Sequence, residues 1–208
     1  MRPLTDKLPK PLLSVAGKPL LQYHVEALAR AGFSELVVNH ARFGDQIEAF
    51  LSDGAAFGVK IRYSAEGDNP LGTGGGIKQA LPLLGNDPFL VINGDVWTDY
   101  PLDTLPTTLP GQAHLVLVPN PAHHQDGDFV LESDEVLCSG QPRFTFSGIG
   151  VYRPGLFQST PEQIFPLAPV LRQAMRNRQV TGELYRGRWF DIGTPARLAE
   201  LEYYLAGR

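Results

Sequence analysis

FLVINGDVWTDY, residues Phe89–Tyr100, is the stretch from which the fold can be read. Phe89–Asn93 is apolar or β-favouring, without the alternation of a strand that has one wet face. That is the pattern of a strand covered on both sides. Gly94 follows, where the backbone is expected to turn, and Asp95 emerges at the strand's carboxyl end. In open α/β sheets ligands bind just beyond the carboxyl ends of the strands. A carboxylate there is sited to hold a divalent cation against a phosphate. The plainer alternative is an aspartate that only caps the following turn.

The segments before this strand predict a layered α/β fold. Pro19–Ala31 has Leu20, Leu21, Val25, Leu28 and Ala29 on one helical face, with Gly32 as its stop. Glu35–Asn39 reads as a short buried strand, Phe43–Ser52 as a helix and Val59–Ser64 as a strand. Helix, strand, helix, strand implies parallel pairing. After residue 89 the pattern is less regular. His114–Pro119 is a strand, Asp128–Leu131 and Phe144–Tyr152 suggest a hairpin and a further strand, and Phe165–Asn177 has helical spacing. Val180–Arg186 and Arg188–Ile192 read as a β pair. Thr194 caps a closing helix that runs to Leu205, with Pro195 in its first position. Met1–Lys18 carries three prolines in its first eleven residues and reads as a loop or tail.

The 208 residues suffice for one domain with a proper core, at 43% hydrophobic and 19% charged. The net charge of −4 and the absence of a basic run argue against nucleic-acid or anionic-membrane partners. A single cysteine, Cys138, excludes an internal disulfide and fits a reducing compartment. No apolar run reaches the roughly 18 residues of a membrane span, and the first residues lack the apolar core of a signal peptide. The expectation is a soluble, cytoplasmic protein, monomeric because no assembly segment is evident.

Three further features carry chemistry. Leu71–Gly76, LGTGGG, reads as a loop that opens a helix at Gly76. Glycines there let the backbone approach a ligand closely, and the helix start favours an anion. Neither a Walker loop nor the dinucleotide fingerprint is present, which disfavours kinase and NAD chemistry. Lys10 lies between two prolines in LPKPL, so a compact ammonium is held in a rigid surround, suited to phosphate. Asp191 in WFDIGTP repeats the placement of Asp95, a strand-end carboxylate near a glycine. Two such carboxylates can share one Mg²⁺.

In order, RPLT…PKPLLSVAGKPLLQYHVEAL, the GTGGGI loop, FLVINGDV, FSGIGVY and WFDIGTPARL resemble the nucleotidyltransferase family that makes nucleotide sugars from a nucleoside triphosphate and a sugar 1-phosphate. The resemblance spans nearly the whole chain. It implies a Rossmann-like three-layer α/β sandwich with a mixed, mainly parallel sheet. Residues 1–110 would form the nucleotide half and 111–208 the sugar half of one domain. It implies UTP and a sugar 1-phosphate as substrates, with N-acetylmuramate 1-phosphate first and mannose or glucose 1-phosphate, with GTP or UTP, as rivals. A non-catalytic nucleotide-sugar-binding subunit is the reading from another class. Lys10 and Arg2 would meet phosphates, and Thr73, Gly74 and Gly75 the nucleotide. Asp95 and Asp191 would hold Mg²⁺, and Lys10, Asp95 and Asp191 together would be the catalytic set. Asn93, Gly94, Gly148 and Glu183 would line the sugar side.

Two departures from the family pattern stand out. Relatives begin with a buried strand and a loop of the type LAAGxGxRMxP, whereas here Met1-Arg2-Pro3 falls at that motif's tail. The first strand is therefore expected to be missing, through a late start or a truncation. No lysine follows Lys78, although many relatives use a second lysine for the sugar phosphate. Arg143 is the expected substitute, with His123 and His124 as alternatives.

Overall fold

A computed structural model of the chain describes every residue except Asp68, Ser159, Pro161 and Arg208. The described strands are β1 (Ser14–Val15), β2 (Lys18–Pro19), β3 (Glu35–His40), β4 (Lys60–Ala65), β5 (Phe89–Ile92), β6 (Val96–Thr98), β7 (Ala113–Val118), β8 (Phe129–Glu132), β9 (Glu135–Leu137), β10 (Arg143–Tyr152), β11 (Val180–Leu184) and β12 (Trp189–Asp191). The helices are α1 (Leu20–Arg30), α2 (Gly44–Leu51), α3 (Gly72–Leu84), α4 (Gly155–Gln158), α5 (Leu167–Arg176) and α6 (Pro195–Ala206). Among the described residues no helix is long and apolar enough to cross a membrane.

The chain folds as two compact units that interleave in sequence. The first takes 1–69, 93–103 and 188–208; the second takes 70–92 and 104–187. Neither follows a division near residue 110.

In the first unit β3 and β4 pair in parallel, with Glu35 opposite Lys60 and His40 opposite Ala65. Leu36, Val25, Ile47, Leu51 and Ile61 form the core that α1 and α2 share with this pair. The helices thus bury the apolar faces that their periodicity defines. A second core joins Val15, Leu20, Trp97, Ile192 and Leu201. Trp97 meets the rings of Phe190 and Tyr204 edge-on at 6.0 and 5.6 Å, the packing role its size suggests. Met1–Lys18 is more than the expected loop. It contains a 3₁₀ turn at Lys10–Leu12 and an antiparallel hairpin, β1–β2. Ala16 and Gly17 form the hairpin turn with φ of 48° and 85°. Alanine seldom adopts such a φ, so the turn carried little signal in the sequence.

The second unit is built on a six-stranded sheet in the order β5-β10-β7-β11-β9-β8. Leu115, Leu117, Tyr152, Phe157, Leu171 and Met175 form its core, with α3, α4 and α5 contributing. Each of these loses most of its contact with water, worth about 1.5–3 kcal/mol per large side chain. The sheet is mixed, but its parallel share is smaller than expected. Only β7 and β11 run parallel; β10 is antiparallel to both β5 and β7.

β5 ends the strand order, paired to β10, with Phe89 buried and Leu90, Val91 and Ile92 partly buried. Two expectations are corrected. β11 and β12 do not pair with each other. β11 lies beside β7 because Gly182, lacking a Cβ, lets the two backbones approach; an added Cβ would sit 2.7 Å from the Leu115 carbonyl oxygen. β12 pairs instead with β6. Finally, the glycine run is not a loop before a helix but the first turns of α3 itself.

Candidate active site

In the first unit Lys10 meets Asp95 through their side chains, and Asp191 lies beside Asp95 along the backbone, from three distant stretches of sequence. Pro9 precedes the 3₁₀ turn that carries Lys10 and Pro11 lies within it, while Leu12 and Leu13 anchor it in the interior. The Lys10 ammonium donates to Asp95 Oδ2 at 2.7 Å. The two side chains are 27% and 44% exposed. A pair so wet adds little stability, so its interest lies in placement.

Asp95 sits between Gly94 and β6, in a tight turn where the Val96 N–H reaches the Asn93 carbonyl at 3.3 Å. The backbone turns at Gly94 as expected, without a positive φ. A Cβ there would lie 3.4 Å from the Pro11 ring, an ordinary van der Waals contact. Asp191 ends β12 opposite Val96 in the antiparallel register. The next amide, Ile192 N–H, donates to the Asp95 carbonyl oxygen at 2.7 Å. The two acidic residues are thereby backbone neighbours.

Two residues around this site escaped the sequence reading. Arg197, in the first turn of α6, donates through Nη1 to both oxygens of Asp191 at 2.7 and 2.6 Å. The available signal was the Thr194 cap, confirmed by its acceptance of the Arg197 N–H at 3.3 Å. Capping puts Arg197 at the third helical position, over the residues preceding the helix. His24 lies on α1, on the buried side with Leu20, Leu21 and Val25, and is 8% exposed. Burial pushes its pKa down to about 4, against the opposing pulls of a hydrogen bond to the Val96 backbone and the Asp95 charge. It is a neutral imidazole behind the acidic turn.

Arg2 does not join this group through its closest ion pair. Its Nε lies 3.3 Å from Asp6, and its side chain is 84% exposed. Asn93 and Gly94 directly precede Asp95.

The remaining predicted residues lie in the second unit. Gly74 and Gly75 are buried in α3, and Thr73 is exposed. The close approach the glycines allow is made by the chain itself. A Cβ at Gly75 would lie 2.2 Å from the Gln163 carbonyl oxygen, and one at Gly74 2.4 Å from the Phe165 ring. The Gly75 N–H donates to the Phe165 carbonyl at 3.1 Å. Gly148, at φ 81°, sits in the irregular stretch of β10 where the register to β7 shifts between Phe146 and Ile149. Ser147 beside it donates to the Val116 carbonyl at 2.6 Å. Glu183 on β11 lies 3.9 Å from His114 Nε2, and burial lowers the His114 pKa although Glu183 raises it. Arg143 opens β10 and donates to the Cys138 carbonyl at 3.3 Å. His124 faces Asp128 at 3.2 Å.

The first-unit site suits a hard cation. Among the described residues no group of three or more His, Cys, Asp or Glu side chains could hold a metal. Asp95 and Asp191 are the carboxylates of this junction, and each already attracts a cationic side chain. One or two carboxylates completed by water and phosphate oxygens is the habit of Mg²⁺.

An N-acetylmuramate alpha-1-phosphate uridylyltransferase of Neisseria meningitidis serogroup B is 51% identical over 211 residues, covering 97% of this chain and 91% of that protein. One of the same description from Caulobacter vibrioides is 32% identical, covering 96% and 92%. A mannose-1-phosphate guanylyltransferase of Mycobacterium tuberculosis is 42% identical, over only 46% of this chain. Solved structures share the fold at 20% identity. One is described as a glucose-1-phosphate thymidylyltransferase from Bacillus anthracis, with a TM-score of 0.85, covering 98% of this chain and 89% of that one. Another is a UDP-glucose pyrophosphorylase with UDP-glucose, with a TM-score of 0.76, covering 100% and 94%. The model of the nucleotidyl transferase family matches residues 1–117, and together with these relatives it establishes that the chain belongs to that family.

Proposed function

We propose that the chain joins UTP to a sugar 1-phosphate, N-acetylmuramate 1-phosphate, to give the UDP-sugar and pyrophosphate, a step of peptidoglycan recycling. The observation that carries the reading is the meeting of Lys10 with Asp95 and of Asp95 with Asp191 at one backbone junction. The choice of base and sugar rests on the relatives from Neisseria meningitidis and Caulobacter vibrioides, which align over nearly their full length. The guanylyltransferase relatives are more distant, 42% identical over only 46% of this chain or 29% identical over 94% of it, which favours uridylyl over guanylyl transfer.

In this mechanism an oxygen of the sugar 1-phosphate attacks the α-phosphorus of UTP in line. The new oxygen–phosphorus bond forms as the bond to the bridging oxygen breaks, and pyrophosphate carries that electron pair away. No covalent enzyme intermediate is needed, so the protein acts by positioning and by neutralising charge. Lys10 exchanges its contact with Asp95 for phosphate oxygens. Asp95 and Asp191 hold Mg²⁺, which when bound offsets the charge of the phosphates. Asn93 and Gly94 present backbone beside them. Arg2 and Thr73 serve the nucleotide, and Gly148, Glu183 and Arg143 the sugar phosphate. The reading includes the cytoplasm as the place of work and a monomer as the working form.

Pyrophosphate release, measured with each of the four NTPs against N-acetylmuramate, mannose and glucose 1-phosphates, tests the proposal. UTP with N-acetylmuramate 1-phosphate is expected to give the highest kcat/KM. Faster turnover of another pair would replace the substrate assignment, and no turnover with any pair would overturn the reading as an enzyme of this type.

A further inference from the structure

We infer that Arg197 is a competing counter-cation for Asp191, one that keeps a divalent ion off this carboxylate until a triphosphate supplies the charge that draws the ion in. The inference rests on the metal reading of Asp95 and Asp191 and adds an order of binding to it.

The contact is built into the local chain. Thr194 caps α6 and fixes the Arg197 backbone. The side chain then runs back across Gly193, where a Cβ would lie 1.9 Å from Nη2 and 2.8 Å from Cζ. Any other residue at 193 would drive the guanidinium away. Nη1 reaches both oxygens of Asp191 at 2.7 and 2.6 Å, and the two side chains are only 19% and 30% exposed. Ion pairs of this length are strong for their kind. The helix does not favour the arginine in this place, because a first turn prefers negative charge. Asp191 offsets that preference.

The charges give the consequence. Lys10 and Arg197 balance Asp95 and Asp191, so the four side chains sum to zero formal charge. A divalent ion approaching them meets two cations already bound to the oxygens it requires. A triphosphate brings enough negative charge to hold the ion and both side chains together. The divalent ion therefore enters with the nucleotide and not ahead of it.

The test is Mn²⁺ titration of the full chain without nucleotide, with free Mn²⁺ followed by electron paramagnetic resonance. Thermal unfolding checks that each variant is folded. Arg197→Gln is expected to bind Mn²⁺ about tenfold more tightly than the wild type, the order expected for removing one neighbouring charge. Arg197→Lys, which keeps the charge, retains weak binding. Adding Asp191→Asn to Arg197→Gln abolishes the gain. If Arg197→Gln binds Mn²⁺ no better than the wild type, or if its gain survives Asp191→Asn, the inference is overturned. A companion titration with UTP present separates this from failure of the metal site. Weakened binding in Asp95→Asn and Asp191→Asn keeps that site whatever Arg197 does; unchanged binding in both removes the site, and the inference with it.

Discussion

The amide of Ile192 donates to the carbonyl oxygen of Asp95 at 2.7 Å. This bond fastens the end of β12 to the start of β6 and makes Asp95 and Asp191 backbone neighbours. The backbone does the joining, so either side chain can be changed without unmaking it.

Substituting Asp95→Asn or Asp191→Asn is therefore expected to spare the fold and lower kcat roughly 100-fold or more, the scale for loss of a charge-stabilising group. Pyrophosphate release at saturating Mg²⁺ reads this. Turnover within a few-fold of the wild type would remove the metal role.

Lys10→Gln separates catalysis from stability in the same way. Its pair with Asp95 is partly exposed, so the stability loss should stay below about 1 kcal/mol. The expected fall in kcat/KM is on the order of 100-fold. Full activity after the substitution, or a large fall in unfolding midpoint, would contradict the phosphate role.

Gly75→Ala sets two effects in opposition. Alanine is better than glycine in a helix by about 1 kcal/mol, but the new Cβ would lie 2.2 Å from the Gln163 carbonyl oxygen. Overpacking of this kind costs about 1–3 kcal/mol, and the Gly75–Phe165 hydrogen bond is strained besides. Net destabilisation in urea unfolding is expected. Gly155→Ala is the control, since its Cβ would meet only Gln112 Oε1 at 3.6 Å. Equal midpoints for the two variants would refute the packing account.

His24 makes stability depend on pH. Its folded pKa is depressed to about 4 from 6.5, so the unfolded chain binds the proton more readily. The neutral form's contribution is fully present above pH 6.5 and declines as pH falls towards 4. The full effect is of the order of 3 kcal/mol. His24→Leu removes this term. Its stability, measured by urea unfolding from pH 7 to pH 4, should fall less steeply than that of the wild type. Parallel curves would show that His24 takes up its proton without cost.

Much of this was legible from residue types alone. Helical spacing located α1, α2 and α6, and the Thr194-Pro195 cap fixed the start of α6. Lys10, Asp95 and Asp191 stood out because prolines and strand ends restrict where such side chains point. Pairing was less legible. β5 is as apolar as a covered strand, yet it ends its sheet, because composition reports burial and not strand order. β11 and β12 are adjacent in sequence and pair elsewhere, since Gly182 and the ring of Phe190 are matched to other neighbours. The glycines at 74 and 75 were read as open to a ligand, but the segment at 163–165 fills their Cβ side. Such a contact depends on residues nearly ninety positions away and leaves no local trace.

The first unit is stitched from three lengths of chain, the last beginning at Arg188. On a ribosome, Lys10 and Asp95 are made long before Asp191, so the acidic pair must wait until β12 has emerged. The second unit closes earlier, at Gly187. A nascent chain thus holds every strand of the six-stranded sheet before it holds Asp191, and that sheet can form before the junction of β6 with β12 exists.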